Sequence, residues 1–368
     1  MMVKRDILLG GLLAFLLAAA PSARADVVVG VALPRTGSVA SIGDQVFNGA
    51  TAAARDVNAK GGVNGEKVVL DVQDDVCDPK QAVSVANKFV QSGVKLVVGH
   101  VCSGASIVAS EVYAENGIVM ISPASNSARL TDRGLPGIFR VCGRDDQQGQ
   151  LSAQIIRERF PGKKVAILHD NTPFSRGLAD ATKANLNKAG VTEALFNSIT
   201  PGERDYTAVI TRLKAAGIEL VYYGGYHQEM GLLVRQGAEQ GFAAQWLGTS
   251  GIASKEFAAI AGPAANGVLM TFNPDPRKRE EAAAVVGAFR AQGIDPEGFT
   301  LYGYAAVQAL AQAAEKARAK DAKSVERTLK SERFDLLLGP VGFDGKGDIT
   351  APGYVLYVWK GGAFGYAD

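Results

Sequence analysis

Cysteine, histidine and tryptophan are scarce: the chain of 368 residues holds three, three and two of them. The histidines, His100, His169 and His227, each follow an apolar run, and no two stand one helical turn apart. That leaves little material for a zinc site or for the base of a hydrolase. Aromatic residues make up 7% and do not interleave with basic ones, which argues against a stacking platform for single-stranded nucleic acid. The 39 Lys and Arg nearly balance the 37 Asp and Glu, so a net charge of +2 offers no bulk attraction to nucleic acid or an anionic membrane. Neither GxGxxG after a strand nor GxxxxGK occurs, so no phosphate cradle is evident. GxSxG is also missing; Ser250 lies in Gly248-Thr-Ser-Gly251, which has the wrong spacing. Asp344-Gly-Lys-Gly-Asp348 looks like part of a calcium loop but lacks the glutamate that would complete it, and reads as a polar turn. No catalytic set, cofactor or metal is expected, and an exported hydrolase using Ser103 or Ser250 is disfavoured for want of a base.

What is present is an ordinary globular composition, 47% hydrophobic and 21% charged, at a length that suggests two domains. The first 25 residues stand apart. Lys4 and Arg5 precede an apolar run from Ile7 to Ala20, and Ala23-Arg-Ala25 has the small-x-small form of a cleavage site. These features predict a signal peptide cut near Asp26 and an exported mature chain. No later run is long and apolar enough to cross a bilayer. Export permits disulfides. Cys77 and Cys102 each follow a predicted strand end on one sheet edge and are the expected pair, with Cys142 free; three free thiols are the alternative.

Strands and helices alternate. Val27–Leu33 is an apolar strand, and the next helix carries Phe47, Ala50, Ala54 and Val57 on one face. Asp78-Pro79-Lys80-Gln81 reads as a helix start, with Asp as the cap and Pro in the first turn. Further strands are predicted at Lys95–Val98, Ile118–Ile121, Lys164–Leu168, Glu219–Tyr223, Ala244–Leu247, Gly267–Thr271 and Tyr354–Trp359. The pattern predicts an α/β protein with two doubly wound parallel-sheet lobes.

The strand ends carry the interest, because ligands of open α/β sheets bind at the carboxyl ends of strands. Gly99-His-Val-Cys102-Ser103-Gly104-Ala105-Ser106 is a small polar turn between a strand and a helix predicted from Ser106 to about Asn116. Ser103 either caps that helix or offers its hydroxyl, with the N–H groups of Gly104 and Ala105, to an anion. Ala124-Ser125-Asn126, Asp145, Phe174, Tyr226 and Thr249-Ser250 occupy comparable places. If two sheets face each other, these residues converge on one cleft that binds without catalysing.

Gly43-Asp-Gln, Asn58-Ala-Lys-Gly-Gly62, Asp74-Asp-Val-Cys-Asp-Pro-Lys-Gln-Ala82, Gly99-His-Val-Cys-Ser103 and Tyr222-Tyr-Gly-Gly-Tyr-His227 resemble the periplasmic Leu/Ile/Val-binding proteins of ABC transporters, over almost the whole mature chain. The resemblance implies a type I periplasmic binding protein. Its N-terminal lobe is expected from residues 26–144 plus 273–351, and its C-terminal lobe from 145–272 plus 352–368. A three-segment hinge near Gly143, Phe272 and Ala351 would join them. It implies a periplasmic monomer that traps a ligand bearing a carboxylate, a branched-chain or other apolar amino acid, and docks on a membrane permease. Ser103, Asn126 and main-chain groups of Ala124, beside Ser125, would hold the carboxylate. Tyr226 would meet the amino end, and Phe174, Ile42 and Phe299 would line the pocket. It also supports the Cys77–Cys102 bridge. Ser250 departs from the family, which usually has an acid there for the ligand's ammonium. Losing one partner of a buried charge pair costs roughly 2–5 kcal/mol. Asp145 or Glu229 would have to supply the charge, or the ligand is an amine-free apolar or aromatic acid. A sensor role for a signalling partner is a further alternative.

Overall fold

A computed structural model describes residues 26–351 and 353–367. The predicted signal peptide lies outside the described residues. Five strands, β1 (Val27–Leu33), β2 (Val68–Asp74), β3 (Leu96–Gly99), β4 (Val119–Ser122) and β5 (Ile138–Arg140), form a parallel sheet in the order β2-β1-β3-β4-β5. Strands β6 (Val165–His169), β7 (Leu195–Ser198), β8 (Leu220–Tyr223), β9 (Gln245–Gly248) and β10 (Leu269–Phe272) begin a second sheet, also parallel. After a small hairpin of β11 (Phe334–Leu336) and β12 (Gly339–Val341), β13 (Val355–Lys360) and β14 (Ala363–Tyr366) complete that sheet in antiparallel sense. Its order is β14-β13-β10-β9-β8-β6-β7.

The apolar run of β1 is buried throughout except at Val28, as expected of a parallel strand covered on both faces. Local signals set several boundaries. The Asp78 carboxylate accepts the N–H of Gln81 at 2.8 Å, with Pro79 opening the helix Pro79–Gln91. The Thr172 hydroxyl does the same for Ser175 ahead of the helix Pro173–Lys188. Several short elements escaped the sequence patterns, among them β5, β11 and β12 with three residues each and β7 and β14 with four. The helix after β3 starts at Ser103 rather than Ser106, so Ser103 stands in its first turn and Cys102 precedes it as the cap residue.

The chain passes between the two sheets three times, near residues 141–145, 273–276 and 349–354. The second passage carries the helix Thr300–Ala317 back onto the helix Ala40–Ala59 of the first sheet. Their backbones touch at Gly49, where a Cβ would fall 1.8 Å from the carbonyl oxygen of Thr300. A buried ion network ties the first and third passages. Arg140, fully buried, donates to Asp348 at 2.5 Å, to Thr131, and to the carbonyls of Ser125 and Ser127 at 2.9 Å each. Arg144 meets the other oxygen of Asp348 at 2.8 Å. Asp348, read in the sequence as part of a polar turn, is thus an ion-pair partner across 208 residues.

Candidate functional site

The carboxyl ends of β3 and β4 are locked together by buried hydroxyls. The carbonyl oxygen of His100 accepts from Ser106, Ser122 and Ser125 at 3.1, 2.8 and 3.1 Å. Beneath them the His100 ring lies 2.6 Å from Asp75 and 2.8 Å from the Tyr113 hydroxyl, all three fully buried. Burial, with the Asp75 charge beside it, pushes the Tyr113 phenol well above its ordinary range. The second Asp75 oxygen accepts the N–H of Cys77 at 2.9 Å. Cys77 and Cys102 form a disulfide, with Cα atoms 5.5 Å apart, that fastens the loop after β2 to the start of the helix Ser103–Glu115. Cys142 is a buried free thiol, pushed up to about 12 by burial.

Facing this platform are the carboxyl ends of β6, β8 and β9. Phe174 and Tyr226 pair with ring centroids 4.8 Å apart. Ser250 donates to the side-chain oxygen of Gln148 at 3.3 Å, and the Gln148 side-chain nitrogen donates to Thr271 at 2.8 and 3.0 Å. Burial and the Asp170 charge raise the Tyr226 phenol.

Between the two sets lies a small cavity. Ile42, Val101, Ala124, Asn126 and Phe299 wall one side, and Phe174, Tyr226, Ser250 and Gly251 the other. Seven of the ten residues singled out from the sequence meet here. Val101 and Gly251 were missed, although each adjoins a residue of a turn already singled out. Three expected residues stand behind or beside the wall. The Ser103 hydroxyl accepts the N–H of Ser127 at 3.2 Å, and Ser125 is consumed by the His100 and Val101 carbonyls and by Ser106. Asp145 lines a neighbouring cavity with Ser127, Ala128, Asn171 and Arg176. It accepts the N–H of Ala128 at 3.0 Å, and burial pushes its carboxyl up to about 6. Glu229, the other acid considered, is turned toward the N–H of Gly202 at 3.0 Å, and burial raises it as well. Among the described residues, no carboxylate lines the cavity.

Asn126 is the polar group of the first wall. Its amide nitrogen donates to the Gly143 carbonyl at 3.2 Å and to the Tyr354 hydroxyl. A carbonyl can only accept, so Gly143 fixes which way the amide faces. The Asn126 carbonyl oxygen is left buried without a partner.

The periplasmic binding protein family profile matches residues 26–363. This chain belongs to that family. It is 49% identical over 364 residues to a Leu/Ile/Val-binding protein homolog of Brucella suis, covering 99% of this chain and 98% of the relative. It is also 49% identical over 340 residues to an amino acid binding protein of Pseudomonas aeruginosa, covering 92% and 91%. Among solved structures, the leucine binding protein LivK of Thermotoga maritima superposes with a TM-score of 0.87 at 26% identity, covering 93% of this chain and 98% of that one. The Streptococcus pneumoniae protein LivJ, solved with isoleucine, gives 0.86 at 25% identity, covering 93% and 99%. This binding protein is therefore a transport receptor and not an enzyme.

Proposed function

We propose that this binding protein captures a branched-chain or other apolar amino acid for an ABC importer, closing on it in the periplasm and presenting it to a membrane permease. The lobes are residues 26–144 with 273–351, and 145–272 with 352–368. The similarity to Leu/Ile/Val-binding proteins supports the role. The observation that carries the ligand class is the unpartnered Asn126 oxygen. A buried acceptor without a donor costs about 1–3 kcal/mol, so the ligand has to bring an N–H or O–H to it. An α-ammonium does so, and the faces of Phe174 and Tyr226 add cation–π attraction. Main-chain groups of Ala124, which walls the cavity, meet the carboxylate in this reading. The Asn126 side chain, expected from the resemblance to hold the carboxylate, has its donor committed to Gly143 and Tyr354 and serves the amino end instead.

The neutral lining of the cavity favours a second reading, an amine-free apolar acid. Calorimetry with L-leucine, L-isoleucine, L-valine and 4-methylpentanoate decides between them. The amino acid reading expects the amine-free acid to bind more weakly by roughly 5- to 150-fold, the worth of the orphaned acceptor. Equal or tighter binding of 4-methylpentanoate would establish the second reading.

A further inference from the structure

We propose that Gln45 is a positioning residue that staples the cleft shut and sets how fast the ligand leaves, without touching it. The inference rests on the receptor reading above, in that the ligand is trapped by closure. Gln45 lies on the helix Ala40–Ala59 and is 7% exposed. Its side chain nitrogen donates to the carbonyl of Ala253 at 2.9 Å, and its oxygen accepts the N–H of Phe299 at 2.9 Å. Both partners are main chain, so the amide can face only one way. Phe299 walls the cavity from the side of the first sheet. Ala253 follows the Ser250–Ile252 turn of the second. One side chain thus bridges the backbones of the two opposed walls.

The approach is close enough to demand glycine beside it. Gly298 has φ +54°, and a Cβ there would lie 2.3 Å from the Gln45 oxygen and 2.4 Å from the Ala253 oxygen. Further along the same rim, Ser41 lies 3.2 Å from the His227 ring and accepts from Ser254 at 3.2 Å, and Lys255 N–H donates to Glu297 at 3.1 Å. The Lys255–Glu297 bond is exposed, which screens it, and the two Ser41 contacts are only part-buried. The Gln45 bond is buried, and so is held closed by the cost of parting its groups in a dry site. In an open cleft water serves both groups, so the staple contributes to the closed form alone.

The test is Gln45→Glu, measured by stopped-flow dissociation of L-leucine. The glutamate keeps an oxygen for the Phe299 N–H and sets another oxygen against the Ala253 carbonyl. Dissociation is expected to accelerate roughly tenfold or more, with association changed by less than about threefold and the ligand-free melting temperature unmoved. Protonating the glutamate restores a donor, so the variant's dissociation should slow between about pH 8 and about pH 5 relative to the native protein. Native dissociation rates in the variant would overturn the proposal, as would acceleration that ignores pH. A lower melting temperature without faster release would also overturn it, leaving Gln45 a role in folding alone. Failure of the native protein to bind leucine would instead refute the receptor reading, before any variant is made.

Discussion

Replacing Asp145 by Asn should make the protein more stable at neutral pH, contrary to the usual effect of removing a buried carboxylate that accepts a hydrogen bond. Burial pushes the Asp145 carboxyl up to about 6 against an ordinary 3.8, so folding favours its protonated form. Below the ordinary value the group is protonated in both states and costs nothing. Above about 6 it is ionised in both, and folding carries the full penalty, about 3 kcal/mol from 2.2 units at 1.36 kcal/mol each. At pH 4.5 the same two values leave a penalty of about 1 kcal/mol. Asparagine mimics the protonated acid and keeps an oxygen for the Ala128 N–H. Calorimetric melting of the native and variant proteins at pH 7.5 and 4.5 provides the assay. The variant should melt higher by roughly 4 °C at pH 7.5, and by about a third of that at pH 4.5. A variant that is less stable at pH 7.5, or equally shifted at both values, would refute the reasoning.

Arg140→Met should be severe, because it removes a fully buried guanidinium that donates to the Ser125 and Ser127 carbonyls and pairs with Asp348, leaving that buried carboxylate with Arg144 as its remaining ion-pair partner. A loss of about 3–5 kcal/mol is expected in urea unfolding, and a loss below about 1 kcal/mol would show that water takes the guanidinium's place. Replacing both Cys77 and Cys102 by Ser opens a 25-residue loop, worth about 3.5 kcal/mol by chain entropy, and should lower the calorimetric melting temperature by roughly 5 °C. The same variant should weaken leucine binding, since the bridge anchors the residue preceding Ser103.

Local chemistry was legible in the sequence, and distant pairing was not. The apolar run Val27–Leu33 is a strand with the predicted bounds, and the Asp78-Pro79 signal opens the helix it promised. Both depend on neighbours a few residues apart. The strand-end rule pointed to Ala124, Asn126, Phe174, Tyr226 and Ser250, and the family resemblance added Ile42 and Phe299; all seven line one cavity. What each polar atom does there was hidden, because its partners lie far along the chain. The amide of Asn126 is oriented by Gly143 and Tyr354, the latter 228 residues on. The Arg140–Asp348 pair spans 208 residues and the Gln45–Ala253 bond also 208. Asp145 shows the same limit. Its position in the sequence made it a candidate for the ligand's amine, while its neighbours in space seat it in the adjoining cavity.

The route of the chain has a consequence for how the protein is made. The first sheet waits for the helix Thr300–Ala317 to cover the helix Ala40–Ala59, and the second waits for β13 and β14, the last being Ala363–Tyr366. Neither half can finish until nearly every residue has emerged. Such long-range closure slows folding. The delay falls on both halves, because each takes its closing element from the last quarter of the chain. The two halves therefore close in turn, the first when the helix Thr300–Ala317 packs and the second only when β14 joins its edge.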